Sequence, residues 1–457
     1  MNRSSPAPAS GTRIFLAAQN ADTEFNGRIL EQREAGGKNR ILKGECTMKQ
    51  RIVLSVVSVL LSGMITLPAI AQSIVPSASS KLAHLVDEGG GESVVFVGPN
   101  QHVYQLSFNL SNSTTTWSNT DLTTATGSPL AAAGSSLAAF YAKSAGIEHI
   151  AYLATNGHVG FLSFDSSSNS WKFSDATAAT GNTPAASGSA LVAYEDGSSL
   201  PANVDVVFIG TNQHVYQLSL NTATAAWSKQ DLTALTGNTL AASGSTLAAT
   251  QGLVNNNLHI IYLGTNAHVY QLWFNTSAAS WTNQDLTAGT GNTLAASGSA
   301  LAQFFDSFGG QHVVYLGRNQ HVYQLFWNDA TGAWSNQDLT AATGNTVAAS
   351  GSPLTAFLGR IFSKNRDSED ILYLGTNGHV LQLWFNPSSG SWTNQDLTSF
   401  PPTIGALAAA GSAITGFVDP NILAGGEHAF YLGTNNHVYQ LYHDLAAGTW
   451  TNQDLTP

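Results

Sequence analysis

The 457-residue chain is poor in the groups around which much protein chemistry is organised. It has one cysteine, Cys46, and three methionines, and only 10% of its residues are charged, with 17 Lys and Arg against 28 Asp and Glu. A single thiol cannot build a disulfide framework or a cysteine-based metal site. The shortage of clustered positive charge argues against nucleic acid and anionic membrane surfaces as partners. No Cys/His cluster has metal-ligand spacing and no segment carries a distinctive carboxylate pair, so no catalytic residue, metal or cofactor is assigned. The longest apolar stretch, 52–67, is interrupted by Ser55, Ser58, Ser62, Gly63 and Thr66, and falls short of the about 20 residues that span a bilayer. Stable membrane insertion is therefore not expected. Beyond residue 80 there is no sustained helical period, and no helix is expected there.

Repetition takes the place of these features. Seven copies of one unit fill most of the chain, marked by His102, His158, His214, His268, His321, His379 and His437 at spacings of 56, 56, 54, 53, 58 and 58 residues. In the fourth copy the marker lies in GTNAHVYQLWFN, Gly264 to Asn275. Four short apolar segments recur, Ser299–Phe305, His259–Gly264, His268–Asn275 and Trp281–Thr287, each of strand length. Thr265-Asn266-Ala267 joins two of them as a tight turn whose Asn tolerates left-handed angles. Along 268–274, His268, Tyr270, Leu272 and Phe274 share one face while Val269, Gln271 and Trp273 share the other. Both faces are partly apolar, so each sheet needs a neighbour on either side, and a ring of four-stranded sheets supplies them.

The fold expected is therefore all-β, a seven-bladed β-propeller of four-stranded antiparallel blades over residues 80–457. The Leu-Ala-rich segment is read as the innermost strand, and the segment running from Trp to Asp-Leu-Thr as the outermost. Residues 80–85 are a worn copy of the innermost strand and the chain stops at Asp454-Leu455-Thr456. On that phase the ring closes by packing, with no strand shared between the first and last blades.

The first 79 residues follow other rules. Met48-Lys49-Gln50-Arg51 opens a basic segment, 52–67 is apolar and Ala69-Ile70-Ala71 is a small-residue cleavage pattern, so 48–71 reads as a signal peptide cleaved near Ala71, with a membrane anchor as the alternative. Residues 1–47 are then an over-extended start or a disordered leader, and 72–79 a linker. Residues 1–71 hold 9 of the 17 basic and 5 of the 28 acidic residues, leaving 8 against 23 in a cysteine-free mature chain that is secreted or periplasmic.

The order of an Ile/Val-rich strand ending in Tyr, a tight turn, a strand ending in a polar residue plus Leu, an aromatic-Asn/Asp pair and then Trp resembles the repeat of the fucose-specific lectin family, including bacterial propeller relatives. The resemblance implies sugar sites between adjacent blades. It implies that the residue before the third-strand Leu accepts sugar hydroxyls, here Gln105, Gln217, Gln271, Gln324, Gln382 and Gln440, with Phe161 in the second unit. It also implies that a fourth-strand ring covers the sugar's apolar face, here Trp117, Trp227, Trp281, Trp334, Trp392 and Trp450, with Trp171 in the second unit. The family's Arg near the start of the second strand has no counterpart. The matching positions are Ser93, His149, Asp205, His259, His312, Asp370 and His428, so fucose is not the expected sugar.

Planar amides and imidazoles pair with sugar hydroxyls, and aromatic faces cover C–H surfaces. His149, His259, His312 and His428 join the candidate set on this ground. So do Trp273, Trp384 and Tyr442, which share the Gln face in the second half of the chain where the first half has Ser107, Ser163 and Ser219. Weak sites repeated on one disc gain strength through avidity, and glycans or cell-surface carbohydrate are the partners expected. Duller readings stand beside these: Trp as packing between blades, Gln as a satisfied buried amide, the marker histidines bonded within their hairpins or packed on Tyr104, Tyr216, Tyr270, Tyr323 and Tyr439. Asp121, Asp231, Asp285, Asp338, Asp396 and Asp454 are expected to cap the turn after the outer strand. Arg360 to Asp370 reads as an inserted surface loop. A protein-binding scaffold is the alternative function, and a secreted hydrolase a lesser one.

Overall fold

The computed structural model describes residues 74–456, apart from 109–115, 182, 198–201, 238, 253–255, 292, 307–308, 329–330, 345, 360–367, 400–404, 420–425 and 445–446. The leader and signal-peptide expectations, and Lys364 and Arg366 of the inserted loop, lie outside the described residues.

Seven four-stranded antiparallel sheets follow one another along the chain, at 83–121, 137–175, 191–231, 247–285, 301–338, 354–396 and 414–454, and in each the strand order follows the sequence. The first strands of consecutive blades neighbour each other all the way round, the seventh meeting the first. The Leu-Ala-rich strand is thus innermost and the fold is a seven-bladed β-propeller. Blade 4 comprises Leu247–Gln251, Leu258–Leu263, Val269–Asn275 and Ser280–Asp285. The segment at Ser299–Phe305 opens the next blade as Leu301–Phe305.

Strand alternation puts a core on both sides of every blade. Tyr270 and Leu272 join Val207 and Ile209 of blade 3 in one cluster, while Val269, Ile261 and Leu263 join Val313 and Tyr315 of blade 5 in the next. The last seam is built alike: Val94, Phe96 and Leu106 of blade 1 pack on Phe417, Phe430 and Leu432 of blade 7. No strand is exchanged there, so side-chain packing closes the ring. Ile74, in the segment read as a linker, packs against this same cluster.

Backbone hydrogen bonds reinforce the seams where the chain crosses between blades. Ala295 N donates to Ala267 O of the turn being left, and Ala296 N to Leu316 O of the blade being entered, at 3.0 and 2.8 Å. Side-chain hydroxyls satisfy further buried amides. Ser299 Oγ accepts Leu316 N–H at 2.8 Å and Thr287 Oγ1 accepts Val269 N–H at 2.9 Å. Both bonds recur in all seven units.

Four local expectations are corrected. Short helices do occur after residue 80, at Leu122–Thr126, Ala176–Ala179, Leu232–Thr236, Leu286–Thr290 and Leu339–Thr343. Each is four or five residues, too short to print a period in the sequence. Asp285 is an N-cap, with its carboxylate accepting Ala288 N–H at 2.9 Å, so the outer strand stops at Asp285 and not Thr287. The turn's left-handed residue is not Asn266 but Ala267, at φ 65°. Asn266 instead accepts His268 N–H through Oδ1 and donates through Nδ2 to Tyr270 Oη. Gly264 is required beside it, because a Cβ there would lie 2.5 Å from the Tyr270 ring. Finally, Ser368–Asp370 of the presumed loop belongs to the strand Ser368–Leu374, and Asp370 is wholly buried.

Candidate functional site

The marker histidines are architectural. His268 Nδ1 bonds Asp285 Oδ2 at 2.6 Å and the ring stacks on Tyr270, tying the start of the third strand to the end of the fourth. The pair recurs in every blade, including His158 with Asp175. Against the opposing effect of burial, bonds from Thr124 and His102 hold Asp121, and bonds from His379, Ser399 and Thr398 hold Asp396, below the ordinary carboxylate range.

A row of side chains crosses each blade at the opposite end of the sheet, and strand register fixes its members. In blade 4 Thr250 faces His259, His259 faces Trp273 and Trp273 faces Thr282. In blade 2 the row is Phe140, His149, Ser163 and Lys172. In blade 3 it is Tyr194, Asp205, Ser219 and Ser228. Blades 5, 6 and 7 place His312, Asp370 and His428 against Phe326, Trp384 and Tyr442. Side-chain parity directs each row into the groove toward the following blade. The positions matched to the missing family Arg therefore share one groove face with Trp273, Trp384 and Tyr442.

The Gln residues lie in the same seams but are already partnered. All six are buried. Gln324 Nε2 donates to His312 Nδ1 at 2.8 Å and to Glu369 Oε2 of the next blade at 3.0 Å. Gln382 joins Asp370 to Glu427, Gln440 joins His428 to Glu92, Gln105 joins Ser93 to Glu148, and Gln271 joins His259 to Gln311. These five amides thus each bridge two blades. These acceptors on the next blade were missed in the sequence, although a signal for them exists. They stand one position before the row residue in each second strand, where blades 3 and 4 have Val204 and Leu258. Phe161, the exception to the Gln row, shares an apolar cluster with that Val204. Gln217, whose following blade offers Leu258, reaches Asp205 Oδ2 of its own blade at 2.7 Å.

The fourth-strand tryptophans pack across the seam with the preceding blade. Trp227 meets Phe161, and Trp117 meets Phe430, in T-shaped contacts. Trp281 and Trp334 donate Nε1–H to Gln230 and Gln284 of the blade before. Trp392 lies against the cluster shared by blades 5 and 6, and Trp450 is buried in that of blades 6 and 7. Trp281 and Gln217 consequently occupy one seam, as a Gln and a Trp do at every seam except that of Phe161.

The polar groups of the rows are strongly perturbed. Desolvation holds His149 and His259 down at about 4 and pushes Asp205 up to about 7, a rise reinforced by Asp196. Burial also raises Asp370 and Glu427, and the charge of Glu427 adds to the rise at Asp370. His312 moves the other way: ion pairs to Asp306 and Glu369 overcome its burial and raise it. In the groove between blades 3 and 4, three buried polar atoms on one face, Tyr194 Oη, Asn203 Oδ1 and Asp205 Oδ1, have no hydrogen-bond partner among the described residues. Tyr194 and Asn203 were not among the sequence candidates. Among the described residues no cluster of His, Cys, Asp and Glu could hold a metal ion.

Fold and site together define a propeller with repeated polar grooves between its blades. No protein-family model matches the chain, and no curated protein matches it in sequence. Among solved structures it is similar to the BP39L lectin of Burkholderia pseudomallei, at a TM-score of 0.58 and 16% identity over 82% of this chain and 98% of that one. The six-bladed lectin of Aleuria aurantia, described as recognising fucose, aligns at a TM-score of 0.49 and 11% identity over 83% and 96% of the two chains. AofleA from Arthrobotrys oligospora aligns at 0.49 and 15% over 71% and 86%. At these identities the likeness is one of fold.

Proposed function

We propose that this protein is a carbohydrate-binding propeller, an exported and multivalent lectin whose sugar sites lie in the grooves between blades. The observation that carries the reading is the groove between blades 3 and 4, where Tyr194 Oη, Asn203 Oδ1 and Asp205 Oδ1 on one face have no hydrogen-bond partner among the described residues and Trp281 closes the same seam. Buried polar atoms of this kind call for a polyhydroxylated ligand, whose hydroxyls both donate and accept. The fold shared with the Burkholderia lectin supports the reading. No catalytic residue is assigned.

A glycan array with the purified protein tests this. Binding competed by a free monosaccharide is expected, with Tyr194→Phe weakening it about tenfold at an unchanged melting temperature, and Asp205→Asn weakening it about tenfold although its melting temperature at neutral pH does not fall. A silent array from folded protein would sink the lectin in favour of a protein-binding scaffold. Export is tested separately, by N-terminal sequencing of the secreted product, which is expected to begin near Gln72.

A further inference from the structure

On the face of the disc that carries the marker turns, a hollow of about 260 Å³ lies between blades 5 and 6, with Arg318, Gln320, Ser297, Ser350 and Gly351 in its wall. It lies at the end of the sheets opposite the rows described above. Arg318 is the only arginine among the described residues, in a chain with 28 acidic groups. Its guanidinium makes no ion pair or side-chain hydrogen bond among the described residues. The six other turns carry Pro99, Thr155, Thr211, Thr265, Thr376 and Thr434 at this position, so only blade 5 presents a charge. Beside it, Gln320 holds its side-chain Oε1 buried and without a hydrogen-bond partner among the described residues.

These two groups make complementary demands. A guanidinium is a planar fork of donors that matches a carboxylate in two parallel hydrogen bonds. A buried amide oxygen needs a donor, which a simple carboxylate lacks and a neighbouring hydroxyl supplies. The volume is a little below the roughly 300 Å³ at which small-ligand pockets begin, enough for one sugar ring. We infer that this hollow binds a sugar acid, a hexuronate unit whose carboxylate meets Arg318 and whose hydroxyl donates to Gln320. The sugar half of the inference rests on the carbohydrate reading above. The carboxylate half rests on Arg318 alone.

The repeat provides its own controls, because blade 4 has Thr265 and Ala267 where blade 5 has Arg318 and Gln320, and Ala267 takes the same left-handed backbone, φ 65° against 62°. Arg318→Thr and Gln320→Ala are therefore expected to fold. Calorimetric titration of the full chain with glucuronate, glucose and acetate is the experiment, with a melting curve for each variant. Glucuronate is expected to bind best, Arg318→Thr to weaken it about ten- to a hundredfold, and Gln320→Ala to weaken glucuronate but not acetate. Equal glucuronate binding by wild type and Arg318→Thr overturns the assignment. Absence of glucuronate binding while neutral glycans still bind overturns it too and leaves the groove reading intact. Equal affinity for acetate and glucuronate, unaffected by Gln320→Ala, removes the sugar and reduces the hollow to an anion site.

Discussion

At the scale of single residues, polar side chains in this protein mostly serve other parts of the protein. Asp285 caps a helix and holds His268. Asp285→Ala is expected to cost about 1–2 kcal/mol in urea unfolding, with Asp285→Asn recovering part of it because the amide oxygen still caps. The groove residues respond to pH in opposite senses. His149 is depressed to about 4. Above pH 6.5 both folded and unfolded chains hold it neutral, and between 6.5 and 4 only the unfolded chain takes the proton. Stability is thus lost as pH falls, by up to about 3 kcal/mol. Asp205, raised to about 7, keeps its proton in the fold between pH 4 and 7 after the unfolded chain has released it. Its burial therefore costs stability as pH rises, on the order of 4 kcal/mol by pH 7 and above. Melting curves from pH 4 to 8 are expected to show a shallower acid limb in His149→Gln and a shallower neutral limb in Asp205→Asn.

At the scale of elements, period-2 alternation and turn chemistry made the strands legible, and the faces read from Val269 to Phe274 are those the blades bury. The short helices were not legible, since five residues closed by an Asp cap and a glycine carry no periodicity. Nor were the second serine of Ser-Gly-Ser and the threonine of Asp-Leu-Thr, whose hydroxyls look like solvent groups in a sequence yet take strand N–H groups inside the fold. Thr287→Val keeps the shape and leaves Val269 N–H without its acceptor. A loss of about 1–3 kcal/mol is expected from equilibrium unfolding, larger than for Thr282→Val, whose half-buried hydroxyl only donates to Trp273 O at 3.4 Å. Of the candidate site, the row positions were found by aligning the repeats. Their partners across the seam were not, because a Gln read on its own strand gives no sign of Glu369 or Glu427 some 45 residues later.

At the scale of the molecule, the seam between blades 7 and 1 carries a stack of three rings. Phe417 lies between His84 and His428, at 4.9 and 4.7 Å, and His84 bonds Thr415. Burial, with the nearby charge of His428, keeps His84 down at about 4. The other seams resemble it in kind, each a pair of side-chain faces with a Gln or a Phe across it. A circular permutant that joins the present ends and opens the chain between blades 3 and 4 is accordingly expected to give the native circular dichroism spectrum and a melting temperature within about 5 °C of wild type. Because no strand is split to fasten the disc, the ring keeps no structural record of where its chain began. Gene duplication can therefore add a unit, or unequal crossing-over remove one, at any seam without first inventing a new way to close the circle.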